Sequence, residues 1–314
     1  MCQYKAINGL VTDWHYQHYS RFAFSGLGGA FMEATAVSKE GRITHGCTGI
    51  WSDDQIVGLN KITEVFKEHK CAIGIQLAHA GRKASSLRPW DGATSILNRN
   101  GPEKQWPALA PSPIAINEKS KVPIKLKKKD IDRIKNDFVR AAIRANKAGF
   151  DMLEVHGAHG YLLHSFFSPL SNFREDEYGG SIESRMRFPL EVIEAVREVW
   201  PDEKPLFYRI SSTDGQSGGG TIDDSIVLAK ILKQLGVDVI DCSSGGINGS
   251  PTLAKSKIIP GFQVPYAHKL KNCVSIKTMA VGAIIDALQA EKIISQNRAD
   301  LVALGRELLA DTQW

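Results

Sequence analysis

The sequence predicts an α/β protein folded as a (β/α)8 barrel, and three observations point there. From residue 29 onward, short apolar runs alternate with amphipathic stretches, giving six or seven strands each followed by a helix, the pattern of a parallel sheet. The 314 residues suit a barrel of that size. No Gly-x-Gly-x-x-Gly follows the first strand, which weighs against an open dinucleotide-binding sheet.

Taken in order, residues 1–11 are polar punctuation, and helical spacing begins near Thr12. The run 29–37 reads as strand. Residues 53–69 place Ile56, Leu59, Ile62, Val65 and Phe66 on one helical face, with Ser52 as the expected cap. The strand 71–77 runs into His79-Ala80-Gly81-Arg82-Lys83. Residues 84–126, rich in Pro, Ser and Asn, are longer than an ordinary connection, which marks a substrate-facing excursion. A helix follows at 130–148 and Gly149 ends it. Strands at 152–155, 206–210, 237–242, 274–281 and 299–304 then alternate with helices at 184–199, 223–235, 264–270 and 286–295. One domain, 1–314, carrying the excursion at about 84–126, accounts for the whole chain.

Composition narrows the chemistry. The net charge of +5 suits an anionic cofactor or substrate and is too small to indicate a nucleic-acid partner. Five cysteines, at 2, 47, 71, 242 and 273, form no Cys-x-x-Cys, which argues against a disulfide framework, a zinc site or an iron–sulfur cluster. No apolar run reaches membrane-spanning length and no secretory signal opens the sequence, so a cytoplasmic protein without a membrane partner is expected.

The candidate site centres on residues 151–187. A short apolar strand breaks into His156-Gly157-Ala158-His159-Gly160-Tyr161, which gathers two imidazoles and a phenol at the strand end where parallel α/β proteins bind ligands. Imidazole N–H groups stabilise an oxygen that gains negative charge, and a phenol can supply a proton. No Glu stands between the histidines as in a zinc-binding helix motif, so no metal is expected. Gly282-Ala283 and Gly305-Arg306 follow the last two strands, where barrels often hold a phosphate; glycine allows close backbone approach and arginine offers a matching fork. Arg209, inside the apolar run Phe207-Tyr208-Arg209-Ile210, needs an anionic or strongly accepting partner.

The segment HGAHGYLLHSFFSPLSNFREDEYGGSIESRMRF closely resembles the active-site segment of the Old Yellow Enzyme family of FMN-dependent ene-reductases, and its His-x-x-His spacing resembles the thermophilic-like branch. The resemblance spans essentially the whole chain and includes ADLVALGREL and MCQY. It implies FMN as cofactor and NADPH or NADH as hydride donor, with α,β-unsaturated carbonyl compounds as substrates. By the same resemblance Arg209 faces the N1/O2 edge of the flavin, Gln76 reads its pyrimidine edge and Ala34 lets the backbone approach N5 and O4. Cys2 would sit near N5, Tyr4 and Lys83 on the substrate side, and Gly282, Ala283, Gly305 and Arg306 at the phosphate. His156 and His159 would hold the carbonyl oxygen while Tyr161 protonates the α-carbon.

Compared with the family, the first barrel strand and last helix are expected to be incomplete, leaving a gap beside the first complete strand. A homo-oligomer fits the resemblance, although no C-terminal tail is present that would carry an arginine into a neighbouring site. The glycine-rich run 214–220 suggests a loose loop. Two other readings stand beside the ene-reductase: a dienoyl-CoA reductase of the same superfamily, which would carry iron–sulfur cysteines, and a non-catalytic barrel that binds flavin weakly or only a partner.

Overall fold

A computed structural model of the chain describes residues 1–96, 104–249 and 259–314. Helix α1 (Asp13–Ala23) leads into strand β1 (Gly29–Ala36), helix α2 (Asp54–Glu68) and strand β2 (Ala72–Ala78). Among its described residues the excursion contributes a 3-10 turn (Pro89–Asp91) and the two-residue strands β3 (Leu109–Ala110) and β4 (Ile124–Lys125). Then come α3 (Lys128–Lys147), β5 (Met152–Gly157), α4 (Leu162–Phe167), α5 (Ile182–Arg197), β6 (Leu206–Ser211) and α6 (Ile222–Gln234). The chain ends with β7 (Val239–Ser243), α7 (Val264–Val274), β8 (Lys277–Val281), α8 (Ala287–Ser295), β9 (Leu301–Ala303) and α9 (Arg306–Ala310).

Seven strands form one parallel sheet in the order β1-β2-β5-β6-β7-β8-β9. Its curvature follows from side-chain contacts. Phe31 of β1 meets Phe207 of β6 edge to face at 5.1 Å, although β2 and β5 lie between those strands. Phe207, Val239 and Met279 of the central strands also gather Phe31, Met152 and Ala303 from β1, β5 and β9 into one apolar plug. A flat sheet cannot bring both its edges to one cluster; a sheet curled as a (β/α)8 barrel can. Among the described residues β1 and β9 are the sheet's edges and do not pair with each other.

Period-two alternation then sorts the side chains. One face of the strands, with Ile75, Leu77, Leu153, Val155, Tyr208, Ile210 and Ile240, packs against the helices in the main core. The other face lines the barrel. Above the apolar plug it carries Gln76, Glu154, Arg209 and Asp241, and above those His156, Ser211 and Ser243.

Local differences from the sequence expectation have physical causes. Helix α2 starts after Asp53, one residue past Ser52, whose backbone N–H is accepted by the Gln55 side chain. Ser181 does cap α5, accepting from Ser184 N at 3.3 Å. The short α4 escaped the sequence reading because all six of its residues are buried, which erases amphipathic spacing. Strand β5 extends through His156 and Gly157, so His156 belongs to the barrel wall itself. The run 214–220 is tied at its base: Asp214 N donates to the Gly220 carbonyl at 2.9 Å, and the Asp214 carboxylate accepts from Ser168 Oγ at 2.7 Å and Gly220 N at 2.6 Å.

The long motif after His164 holds the excursion down. Arg174 donates to the carbonyls of Pro111 and Leu126, and Phe173 N donates to Ser112 Oγ. Buried Asn172 closes the turn by donating to the carbonyls of Phe166 and Tyr178, each at 2.7 Å. Asn172→Ala would strand both carbonyls in the interior, and a destabilisation of about 2–4 kcal/mol is expected in urea unfolding; a loss under about 0.5 kcal/mol would show that the turn holds without them.

Candidate active site

Three side chains meet at the carboxyl end of β5. The His156 ring stands perpendicular to both neighbours, with centroids 5.1 Å from His159 and 4.8 Å from Tyr161. His156 Nδ1 accepts the Ala158 backbone N–H at 3.2 Å, so in the neutral ring the proton sits on Nε2, free to donate. His159 has its Nε2 against Ser243 Oγ at 2.6 Å. It presents Nδ1–H to a ligand when Ser243 is the donor in that bond, a condition the histidine spacing alone does not reveal. Burial, reinforced by the Arg209 charge, holds both imidazoles well below the ordinary histidine value. Burial likewise keeps the Tyr161 phenol protonated far above its usual range.

The His159 loop is shaped by close packing. His159 and Gly160 both adopt positive φ, at 58° and 72°. A Cβ on Gly160 would collide with the Gly246 carbonyl, and one on Gly246 would lie 2.6 Å from His159 Cα. Two backbones thus touch where β5 and β7 end, and side chains secure them. Ser211 Oγ accepts from His159 N at 2.9 Å and donates to the Gly245 carbonyl at 2.8 Å.

Lys83 completes the clasp: its ammonium donates to the carbonyls of His159 at 2.7 Å, Gly246 at 2.6 Å and Gly249 at 3.0 Å. All three donors are spent on backbone, so in this structure Lys83 joins loops instead of offering its charge to a substrate. Burial, with Arg82 beside it, lowers its pKa to about 7. From the other side, His164 Nδ1 accepts the Gly160 N–H while Nε2 faces Asp214 Oδ1 at 2.8 Å.

Beneath this cluster lies the polar layer. Gln76 Nε2 donates to Glu154 Oε1 at 2.6 Å. Arg209 Nε lies 3.1 Å from Asp241 Oδ2, the anionic partner that the arginine's place in an apolar strand demands. Among the described residues the Arg209 Nη groups make no hydrogen bond. Glu154 and Asp241 were open to the same reasoning as Arg209, each being an acid on the inward parity of an apolar strand.

On the β1 side, Ala34, Ala36, Cys47, Ala78 and Ala80 line a small apolar hollow that reaches Tyr161. A β-bulge between Met32 and Ala34 leaves Glu33 without a sheet partner. Glu33 accepts from Gln3 N at 2.9 Å and Tyr19 Oη at 3.2 Å, fixing the segment that carries Cys2 and Tyr4. Burial first, then the nearby Glu33, push the Cys2 thiol up, so it stays protonated. Tyr4 packs edge to face on the exposed Trp90 of the excursion at 5.9 Å, a rim contact no spacing in the sequence announces.

Gly282 and Gly305 stand at the ends of the adjacent strands β8 and β9. Gly282 has φ 113° and its Cα faces Gln263, so a Cβ there would lie 2.5 Å from Gln263 Nε2. Ala283, also at positive φ, has its carbonyl bound by Gly261 N at 2.9 Å. The Arg306 side chain is exposed and makes no hydrogen bond or ion pair with other described residues. Among the described residues no group of three or more His, Cys, Asp or Glu is placed to hold a metal ion, and no described helix is long and apolar enough to cross a membrane.

The depressed imidazoles carry a pH dependence with a definite sign. Below about pH 6.5 the unfolded chain protonates His156 and His159 while the folded chain leaves them neutral, so stability falls as pH drops, by up to about 1.4 kcal/mol per unit per histidine. Thermal melts between about pH 7 and about pH 5 should show a shallower acid loss in the His156→Asn/His159→Asn double variant. Parallel curves would mean the rings titrate alike folded and unfolded.

Similarity to known proteins agrees with this arrangement. Residues 1–314 match the family model described as the NADH:flavin oxidoreductase / NADH oxidase family. The chain is 45% identical over 316 residues to an NADPH dehydrogenase of Geobacillus sp. (strain WCH70), covering 100% of this chain and 86% of that one. It is 44% identical over 313 residues to an NADPH dehydrogenase of Bacillus subtilis (strain 168), covering 99% and 86%. Its structure is similar to that of morphinone reductase, with a TM-score of 0.81, 27% identity, and 99% and 81% of the two chains covered. With the whole chain matched, it belongs to the NADH:flavin oxidoreductase / NADH oxidase family, the Old Yellow Enzyme group of (β/α)8 barrels.

Proposed function

We propose that this chain is an FMN-dependent, NADPH-using oxidoreductase that reduces the C=C bond of α,β-unsaturated carbonyl compounds. The observation that carries the reading is the perpendicular His156–His159–Tyr161 cluster, buried and neutral, set directly above Arg209 and beside an alanine-lined hollow.

The residues fit FMN on two counts besides family membership. Among the described residues the Arg209 Nη donors at the floor of the site have no hydrogen-bond partner, and the negative edge of a flavin would find them there. Ala34, Ala36 and Ala78 put only methyl groups on the wall of the hollow, so a flat ring lying over it would meet no bulky side chain there. Gln76 is committed through Nε2 to Glu154, which leaves its carbonyl oxygen to accept from the ring. Gly282, Ala283, Gly305 and Arg306 would hold the phosphate at the ends of β8 and β9. Cys2, kept as a thiol, would donate toward N5, with Tyr4 above it on the substrate side.

FMN bound here would supply a two-electron hydride carrier between NADPH and the substrate C=C bond. The protein supplies the rest. His156 Nε2–H, and His159 Nδ1–H when Ser243 donates to its Nε2, meet the carbonyl oxygen as it gains negative charge. Being neutral, they stabilise enolate character without protonating it prematurely. Tyr161, protonated and 4.8 Å from the His156 ring, gives its hydroxyl proton to the α-carbon.

Two variants test the assignment. His156→Ala should weaken phenolate binding and slow enone reduction by about 10²–10³-fold, the usual cost of one oxyanion donor. Tyr161→Phe should leave flavin reduction by NADPH near normal and slow reoxidation by an enone, as read by stopped-flow absorbance. Equal slowing of both halves would assign Tyr161 a structural role.

A further inference from the structure

The polar layer inside the barrel holds more acid than its single arginine can neutralise. Glu154 on β5 and Asp241 on β7 are each 2% exposed and flank Arg209 on β6. Their carboxyl groups are close enough for each to act on the other's protonation. Glu154 Oε2 and Asp241 Oδ1 are both buried and have no hydrogen-bond partner among the described residues. The remaining oxygens are engaged, Glu154 Oε1 by Gln76 and Asp241 Oδ2 by Arg209. Below the pair the barrel is closed by Phe207, Val239 and Met279, and above it His156 is neutral. Two ionised carboxylates in that setting would set acceptor against acceptor without water between them, at a cost that one proton removes.

We infer that Glu154 and Asp241 share a single proton, held on Glu154, and that the pair is a positioning device that leaves Arg209 charged and available to the flavin edge. The location of the proton follows from the neighbours. Asp241 has the guanidinium 3.1 Å away and keeps the charge. Glu154 has the neutral amide of Gln76 against it, with Arg209 acting only beyond ion-pair distance, and takes the proton. The sum over Glu154, Asp241 and Arg209 is then zero. Without the proton it would be −1, and a negative floor would oppose a cofactor edge that itself collects negative charge.

Burial first, then the Asp241 charge, push Glu154 up to about 8, and burial raises Asp241 as well. The sign is the reverse of the histidines: from about 4.5 to about 8 the folded chain keeps a proton the unfolded chain has released, so the pair's contribution to stability falls as pH rises. The shared proton is a property of the chain itself; only its consequence rests on the flavin reading.

Infrared spectroscopy of the FMN-free protein tests the proton directly. A buried carboxylic-acid C=O band is expected at neutral pH, fading as pH rises through about 8 and missing from Glu154→Gln. Glu33 is the other buried acid with a pKa raised to about 7, so Glu33→Gln is the control that must retain the Glu154 band. If Glu154→Gln fails to fold, Asp241→Asn, which leaves the Glu154 acid a carbonyl to donate to, should keep the band to higher pH. No band in the native protein, or a band that survives Glu154→Gln, overturns the shared proton.

The consequence is read by FMN titration. Affinity of the native chain should fall by about tenfold between about pH 7 and about pH 9, and stay within about twofold in Glu154→Gln. A pH slope common to both proteins overturns the positioning role. A chain that shows the infrared band and binds no FMN at any pH would refute the flavin reading and leave the proton assignment standing.

Discussion

The site depends on one steric constraint, the contact of two backbones where β5 and β7 end. Neither Gly160 nor Gly246 has space for a Cβ, and both adopt positive φ that glycine tolerates without strain. That contact sets the level of His159 above the sheet, and through Gly160 the direction in which the chain leaves toward Tyr161. Ser211, Lys83 and the His164–Asp214 pair then hold a geometry the glycines make possible. Any larger residue at either position would push the His159 ring away from His156 before it altered any chemical group.

The clasp also explains why a residue with a reactive side chain is spent on structure. Lys83 has a pKa lowered to about 7, the range of a useful acid or base, yet its three donors end on three carbonyls. Its burial beside Arg82 is offset by the hydrogen bonds its ammonium makes to those three carbonyls. Near neutrality a proton on this amine therefore governs how firmly the His159 and Gly246 loops are joined. The loop that positions the catalytic candidates thus carries its own pH sensitivity, separate from that of the histidines.

Much of this was legible in the sequence because barrel strands repeat a simple contrast between apolar and polar positions. The alternation placed all seven strands of the sheet, and a lone charge in FYRI announced an interior partner for Arg209. The same rule applies to Glu154 in MLEV and Asp241 in VIDC, each an acid at an inward position of an apolar strand. Other features had no local signature. The role of Lys83 depends on carbonyls about 76 and 163 residues away. The tautomer of His159 depends on Ser243, brought close only by the curl of the sheet. Helix α4 has no polar face because it is buried on all sides. Sequence periodicity reports which face of an element meets the core; it does not report which distant polar atom meets a given side chain.

The sheet edge at β1 shows how a local defect in pairing serves the site. The bulge at Glu33 removes that residue from the ladder and frees its carboxylate to face the N-terminal segment. One oxygen accepts from Gln3 N, the other from Tyr19 Oη of α1, and His15 Nε2 stands 3.6 Å from the latter. At its other end the segment reaches the opposite sheet edge, where Met1 Sδ lies beside Gly305 at the end of β9. Residues 1–4 therefore run from β9 to β1 across the two unpaired edges, tied to the sheet by a single buried acid. Burial raises Glu33 to about 7, so near neutrality its charge is in balance. Its grip on the Gln3 amide is stronger when ionised, and the placement of Cys2 and Tyr4 over the site is accordingly coupled to the protonation of a residue that touches neither the histidines nor Arg209.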